Sequence, residues 1–165
     1  MTIEFSRTVA FKGYTTDQII RSSYNVDVFD SIRRRLNGSI KKLIIQGYTT
    51  FICGASIGFG TMAAEEVLAV RSVYPAIKLV FVVPYGGFAE RFSPLDRELY
   101  SVLCSKADLC KVIAEGYVPD VFQQANNFLV DNASLMVGYY DKPDSELQYV
   151  ATRFSRRGLP LLNLF

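Results

Sequence analysis

The sequence contains no histidine and no tryptophan. Without imidazole there is no Ser-His-Asp triad, no Cys-His nucleophile pair, no histidine-bound metal and no side chain that ordinarily titrates near neutrality. Carboxylates, hydroxyls, lysines, thiols and backbone dipoles are what remains for chemistry. Cysteine is scarce: Cys53, Cys104 and Cys110 show neither a CxxC nor a zinc spacing. That odd count predicts a reduced chain and a cytoplasmic location. An excess of one charge is lacking too. The 18 lysines and arginines face 16 acids, a net charge of +2, short of the basic excess expected of a chain that grips nucleic acid through its phosphates. The longest apolar stretch, Leu79 to Val83, is too short to span a bilayer. The start, MTIEFSRTVAF, lacks the basic flank and apolar run of a signal peptide. Neither a membrane nor a nucleic acid is therefore an expected partner.

What is present is a globular composition, 50% hydrophobic and 21% charged over 165 residues. It predicts one domain, residues 1–165, around one continuous fold. No linker, repeat or low-complexity tract interrupts it. Apolar runs alternate with amphipathic segments. Thr8 to Phe11 predicts a strand ending at Gly13. Phe29, Ile32, Leu36, Ile40 and Leu43 form one helical stripe, with Gly47 at its C-cap. Thr49 to Cys53 predicts a buried strand stopped by Gly54, Thr61 to Tyr74 a helix, and Ile77 to Val83 a strand stopped by Pro84. Ser93-Pro94 opens a helix to about Ala107. There follow a strand over Leu109–Ala114, a helix over Tyr117–Asp131, a strand over Ser134–Tyr140, a helix over Ser145–Arg157 and a last strand over Leu159–Phe165. Continuous apolar strands alternating with helices predict an α/β fold: a Rossmann-like, doubly wound parallel sheet with helices on both faces.

In such folds ligands bind outside the carboxyl ends of the strands. The predicted ends here are rich in glycine and tyrosine: Lys12-Gly13-Tyr14, Gly54 to Thr61, Pro84-Tyr85, Gly116-Tyr117 and Tyr140-Asp141. Glycine lets a backbone approach a ligand, and tyrosine offers a flat face with a polar handle. The sharpest element is the turn with Gly54, Gly58 and Gly60, which leads straight into a helix. Backbone N–H groups at such a turn suit an anion, with Ser56 and Thr61 adding hydroxyls. The GxxxGxG spacing is neither the dinucleotide GxGxxG nor a P-loop. The glycines also suit a tight, closely packed strand-to-helix turn with no ligand at all.

The run Phe51-Ile52-Cys53-Gly54-Ala55-Ser56-Ile57-Gly58, followed by Ala63-Ala64-Glu65, resembles the YpsA-like family. That family belongs to the SLOG superfamily of Rossmann-like nucleotide-binding proteins, which also holds LOG and DprA. Gly13-Tyr14 resembles the family's turn after the first strand, and Ile77-Lys78-Leu79 through Pro84-Tyr85 its third strand and Pro-Phe/Tyr end. Ala107-Asp108, Asn126, Val130-Asp131 and Tyr140-Asp141 follow in family order. The departures are Lys12 for threonine, Gly60 for aspartate, Phe88 and Phe92 for Gln and Trp, and Ala125 for the arginine before Asn126. Ser145-Glu146-Leu147 stands in place of Gly-Gly-Thr, a turn that the resemblance aims at a phosphate. A Glu146 carboxylate about 5 Å from a phosphate charge would cost about 3 kcal/mol at an effective dielectric near 20. Either Glu146 points away, or the ligand carries no phosphate there. As an acid in a first helical turn, Glu146 also has an ordinary role.

The resemblance implies a ligand site from Lys12, Gly13, Tyr14, Gly54, Ala55, Ser56, Gly58, Thr61, Glu65, Pro84, Tyr85, Asn126, Asp131, Ser145 and Glu146. No catalytic residue, metal or bound cofactor is assigned. Each residue has a plainer alternative. Glu65 suits early helix chemistry, Asp131 an Asp131-Asn132 turn, Lys12 a solvated surface, Tyr14 and Tyr85 a rim. Arg33 to Arg35 with Lys41-Lys42 suits a solvated helix face, and Cys53 a small buried residue. The expected function is binding of a nucleotide or nucleotide-derived small molecule in a sensing or regulatory role. Two alternatives stay open: a LOG-type hydrolase of the nucleotide N-glycosidic bond, and an interaction protein with a degenerate site. With 12 Phe and 10 Tyr in a small chain, surplus apolar surface makes a homodimer a further expectation.

Overall fold

A computed structural model describes residues Met1–Phe165. A short 3-10 turn, Phe5–Arg7, leads into β1 (Thr8–Gly13), α1 (Thr16–Ser22), α2 (Val28–Ile45), β2 (Thr50–Gly54) and α3 (Phe59–Arg71). Then follow β3 (Lys78–Tyr85), α4 (Pro94–Lys106), β4 (Leu109–Ala114), α5 (Val121–Asn132), β5 (Leu135–Tyr139), α6 (Ser145–Arg156) and β6 (Leu161–Asn163). The strands form one sheet in the order β4-β3-β2-β1-β5-β6, and every neighbouring pair is parallel. Residue pairing such as Val9 with Phe51 and Val9 with Leu135 places β1 at the centre. The chain winds outward from β1 through β2 to β4, then returns to β5 on the other side. The switch point, where strand order reverses, therefore lies between β1 and β5.

Strands buried on both faces explain the continuous apolar runs. Val9, Phe11, Phe51, Cys53, Leu79 and Phe81 point to one face, where they pack with Ile19 of α1, the stripe of α2, the apolar side of α3 and Leu103 of α4. Ala10, Ile52, Val80, Val82 and Met136 point to the other, against Leu129 and Val130 of α5 and Val150 and Phe154 of α6. The α2 stripe is as predicted, with Ile32, Leu36, Ile40 and Leu43 buried. It ends in a Schellman motif: Tyr48 N–H donates to Leu43 O at 3.0 Å and Gly47 N–H to Ile44 O at 3.0 Å. This requires the positive φ of 101° that Gly47 adopts. No helix is long and apolar enough to cross a membrane.

Three expectations are corrected and one element is added. Pro84 lies within β3 and does not stop it: the β2 ladder ends at Val82, while Val83 and Tyr85 on either side stay in register with β4. A missing N–H is tolerated where one neighbouring strand has already ended. The fifth helix starts at Val121, after the Pro119 turn, and not at Tyr117. Helix α1 was not expected; its signal is the capping box of Thr15 and Gln18, in which each residue's side chain takes up the other's backbone. Finally, Cys104 and Cys110 form a disulfide, against the expectation of a reduced chain. The last turn of α4 runs straight back into β4, which brings their Cα atoms to 5.3 Å. Cys53 is free and buried, and burial pushes its thiol pKa far up, so it has no nucleophilic setting.

Leu36 is fully buried at the centre of the α2 stripe, whereas Ile45 on the same helix is exposed. Leu36→Ala is expected to destabilise the fold by about 2–5 kcal/mol and Ile45→Ala by less than about 0.5 kcal/mol, as read by urea unfolding of the two variants.

Candidate functional site

The β2–α3 turn is held against the end of β1 by backbone. Thr16 N–H donates to Ile57 O at 3.1 Å, and Phe59 N–H to Tyr14 O at 2.9 Å. Gly58 sits at the crossing with φ 145°; a Cβ there would lie 2.6 Å from Tyr14 O and from Thr15 Cα. Its glycine is thus a packing requirement. Thr61, fully buried, fastens the same turn: its hydroxyl accepts Gly58 N–H at 3.1 Å and lies 3.0 Å from Gly58 O. Ala55 N–H donates to Val82 O at 2.9 Å. Gly13 is equally constrained, since a Cβ would meet the Phe59 ring at 2.7 Å and Tyr139 O at 2.9 Å. Of the residues predicted in this turn, Gly58, Ala55 and Thr61 are therefore taken up by the fold. Gly54 opens onto free space, Ser56 is exposed, and the N–H groups of Ser56 and Ile57 find no acceptor in the chain.

At the switch point, the chain fills its own crevice. Tyr14 is buried rather than offered as a stacking face. Its hydroxyl donates to Asp141 Oδ1 at 2.5 Å and accepts Lys142 N–H at 2.9 Å. Burial and the Asp141 hydrogen bond raise the pKa of this phenol, while the Tyr14 hydroxyl holds the Asp141 carboxyl below its ordinary value. Beside it, Gln18 Nε2 donates to Asp144 Oδ2 at 3.0 Å, and Asp144 caps α6 by accepting Leu147 N–H at 2.9 Å.

Lys12 and Glu146 meet across the same gap. Lys12 Nζ lies 2.7 Å from Glu146 Oε1, and the buried Asn126 donates its Nδ2 to the same oxygen at 2.9 Å. Glu146 therefore points into the strand ends, not away. Burial pushes its carboxyl pKa up, but the Lys12 charge and the hydrogen bonds from Lys12 and Asn126 outweigh this and hold it below the ordinary value. Two small depressions adjoin the trio and share Lys12, Gly54 and Ser56. One is floored by Gly13, Tyr14 and Gly60. The other is walled by Pro84, Phe122, Asn126 and Glu146. Each encloses about 20 Å³, room for a water and far below the roughly 300 Å³ of a small ligand pocket.

The structure does not bring the remaining predicted residues to this place. Glu65 pairs with Arg33 of α2 at 3.2 Å, so part of the basic α2 surface is neutralised and not simply solvated. Asp131 lies near the C-terminus of α5, by the amino ends of the strands, and pairs with Arg153 at 3.2 Å. That partner is neither a ligand nor its own turn. Ser145 is exposed and lines neither depression. Tyr85 stands beside the groove in an aromatic cluster, 5.5 Å from Phe88, 5.6 Å from Tyr117 and 6.3 Å from Phe122. Phe122 was not predicted; its signal is the stripe it shares with Ala125, Asn126 and Leu129 on α5. A larger open depression, about 580 Å³, lies elsewhere, between the α1–α2 turn and Phe165, and is lined by Ser22, Tyr24, Arg35 and Tyr139. No three carboxylates or thiols come together as metal ligands.

Comparison with known proteins agrees with the fold. The sequence model of the YpsA family, described as the YspA SLOG family, matches residues 9–157. A UPF0398 protein of Ligilactobacillus salivarius is 29% identical over 133 residues, covering 75% of this chain and 72% of the relative. One from Bacillus velezensis is 22% identical over 165 residues, covering 96% and 91%. Among solved structures, DNA processing protein A from Streptococcus pneumoniae superposes with a TM-score of 0.59 at 12% identity, covering 96% of this chain and 50% of its own. The Helicobacter pylori protein, described for its single-stranded DNA binding mode, gives 0.57 at 10% identity, covering 94% and 64%. The chain thus spans about half of the pneumococcal structure, and likeness at this identity is one of fold.

Two outcomes test the site as built. Gly58→Ala forces a side chain onto Tyr14 and Thr15 backbone at a positive φ. It should destabilise the protein by about 2 kcal/mol or more in urea unfolding. The lowered Glu146 pKa gives stability that is present above its ordinary value of 4.5 and lost as pH falls through the folded value. The melting-temperature gap between wild type and Glu146→Gln should therefore be open at neutral pH and close on acidification below that value.

Proposed function

Because the chain belongs to the YspA SLOG family, we propose that it binds a nucleotide or nucleotide-derived small molecule across the carboxyl ends of β1, β2 and β5. The observation that carries this reading is the unclaimed pair of N–H groups at Ser56 and Ile57. They sit on a strand-to-helix turn, and Ser56 lines the same two depressions as the bare Gly54 and Lys12. Donors of this kind, with a lysine at their edge, match an anionic group. The two depressions are too small to swallow a nucleotide, so the ligand lies along the groove over Gly54, and Lys12 leaves Glu146 to meet it. The role is that of a sensing or regulatory binder.

Hydrolysis of an N-glycosidic bond is the weaker reading. Such chemistry needs an acid and a base converging on one bond. Glu65 and Asp131 are each paired with an arginine away from the groove. Of the carboxylates at the groove, Asp141 is committed to Tyr14 and Asp144 to the cap of α6, and the lowered pKa of Glu146 makes it a poor proton donor. A different observation favours a protein that keeps the fold without a ligand. Lys12 is already neutralised by Glu146, and little space remains around the pair. The near-balance of charge also supports a small molecule over a nucleic acid strand.

Thermal melting against AMP, ADP, ADP-ribose and NAD decides between these readings. A binder saturated at a hundredfold over its dissociation constant gains about 2.7 kcal/mol, a clear upward shift. No shift with any of them favours the ligand-free reading, and release of free adenine from AMP favours hydrolysis. Lys12→Ala should weaken the nucleotide that binds by roughly tenfold, the size of one charge-assisted contact; unchanged affinity refutes the lysine's part.

A further inference from the structure

The carboxylate of Glu146 is used on one side only. Oε1 takes the hydrogen bonds from Lys12 and from Asn126, while Oε2 has no partner in the chain. The two donors fix the carboxylate from different directions: Lys12 from the end of β1, and Asn126, itself buried, from α5. Glu146 is half-exposed and lines the depression that Phe122 and Ser56 also line, so Oε2 is the acceptor left over beside that groove. An ionised carboxylate oxygen offers lone pairs alone and can be met only by a donor. A ribose hydroxyl is such a donor; a phosphate oxygen at neutral pH is not.

We propose that Glu146 selects ligands with free ribose hydroxyls: its Oε2 accepts from a 2′,3′-diol, while the 5′-phosphate lies at Ser56 and Ile57. The ligand class is then a ribonucleoside 5′-phosphate or its pyrophosphate derivatives, not a deoxynucleotide and not a nucleotide phosphorylated on that diol. This rests on the nucleotide-binding reading and sharpens it. The physical logic is that of acids at strand ends in dinucleotide folds, which accept from ribose hydroxyls and exclude a phosphate in their place. Ser56 lines both depressions and Glu146 only one, so phosphate and diol lie at neighbouring points of a single groove. Lys12 serves both ends: it anchors Oε1 in the free protein and is drawn toward the phosphate on binding, while the buried Asn126 keeps its hydrogen bond to Oε1 and holds the carboxylate in place.

Isothermal titration of the intact chain with three probes tests this: AMP, 2′,3′-dideoxyadenosine 5′-monophosphate and adenosine 3′,5′-bisphosphate. AMP is expected to bind at least about tenfold more tightly than either of the others. In Glu146→Gln, with folding checked by circular dichroism, the preference for AMP over the dideoxy probe falls to within about threefold, and the bisphosphate gains affinity because the opposing charge is gone. Equal binding of AMP and the dideoxy probe by the wild type overturns the inference while leaving nucleotide binding intact. So does a Glu146→Gln variant with undiminished preference. Binding of none of the three overturns the nucleotide reading and this inference with it. The wild-type series alone is decisive, so the test does not depend on the variant being stable.

Discussion

The backbone of Gly58 rests directly on that of Tyr14 and Thr15, and the carboxyl edge of the sheet is organised outward from that contact. It joins the turn after β2 to the turn after β1 at van der Waals limits, so neither moves without the other. From the β1 side the linkage continues. Tyr14 reaches the loop after β5 through its hydroxyl, and Gln18, one turn further, reaches the cap of α6. Three loops that sequence order keeps far apart thus become one rigid rim, and the groove over Gly54 is what the rim leaves open.

The fold was legible in the chain because its cause is local. Strands buried on both faces must be apolar throughout, and a helix covering one face must show a stripe, as α2 does. Where the reading missed, a second signal overrode the first. Pro84 looks like a strand end, but only one of its neighbouring strands continues at that level, so the lost N–H breaks little. Thr15 and Gln18 announce α1 through capping chemistry and not through an apolar stripe. The Cys104–Cys110 pairing depends on how tightly α4 turns back into β4, which spacing alone does not encode.

The site was legible in part, for a different reason. Sequence showed which residues stand at strand ends but not which are already engaged. Tyr14, Thr61, Ala55 and Gly58 are at the expected edge, yet each is committed to holding the rim. Glu65 and Asp131 answer to arginines that are distant in sequence, Arg33 and Arg153. Glu146 is the instructive case. Treated as a charge beside an imagined phosphate, it is a liability. Set beside Lys12 and Asn126, it is half of a neutral pair whose second oxygen is free.

That neutrality constrains how such a site can change over evolutionary time. Lys12 and Glu146 lie 134 positions apart in the chain yet 2.7 Å apart in space, and each stands where the family resemblance puts an uncharged residue. Starting from threonine and glycine, acquiring the lysine first would give an unpaired cation at the strand ends, a strong trap for any passing phosphate. Acquiring the glutamate first would give an unpaired anion that rejects phosphate altogether. The two single-charge states thus carry opposite charge at the strand ends. Changing either member alone therefore leaves at the strand ends a charge that the other had neutralised.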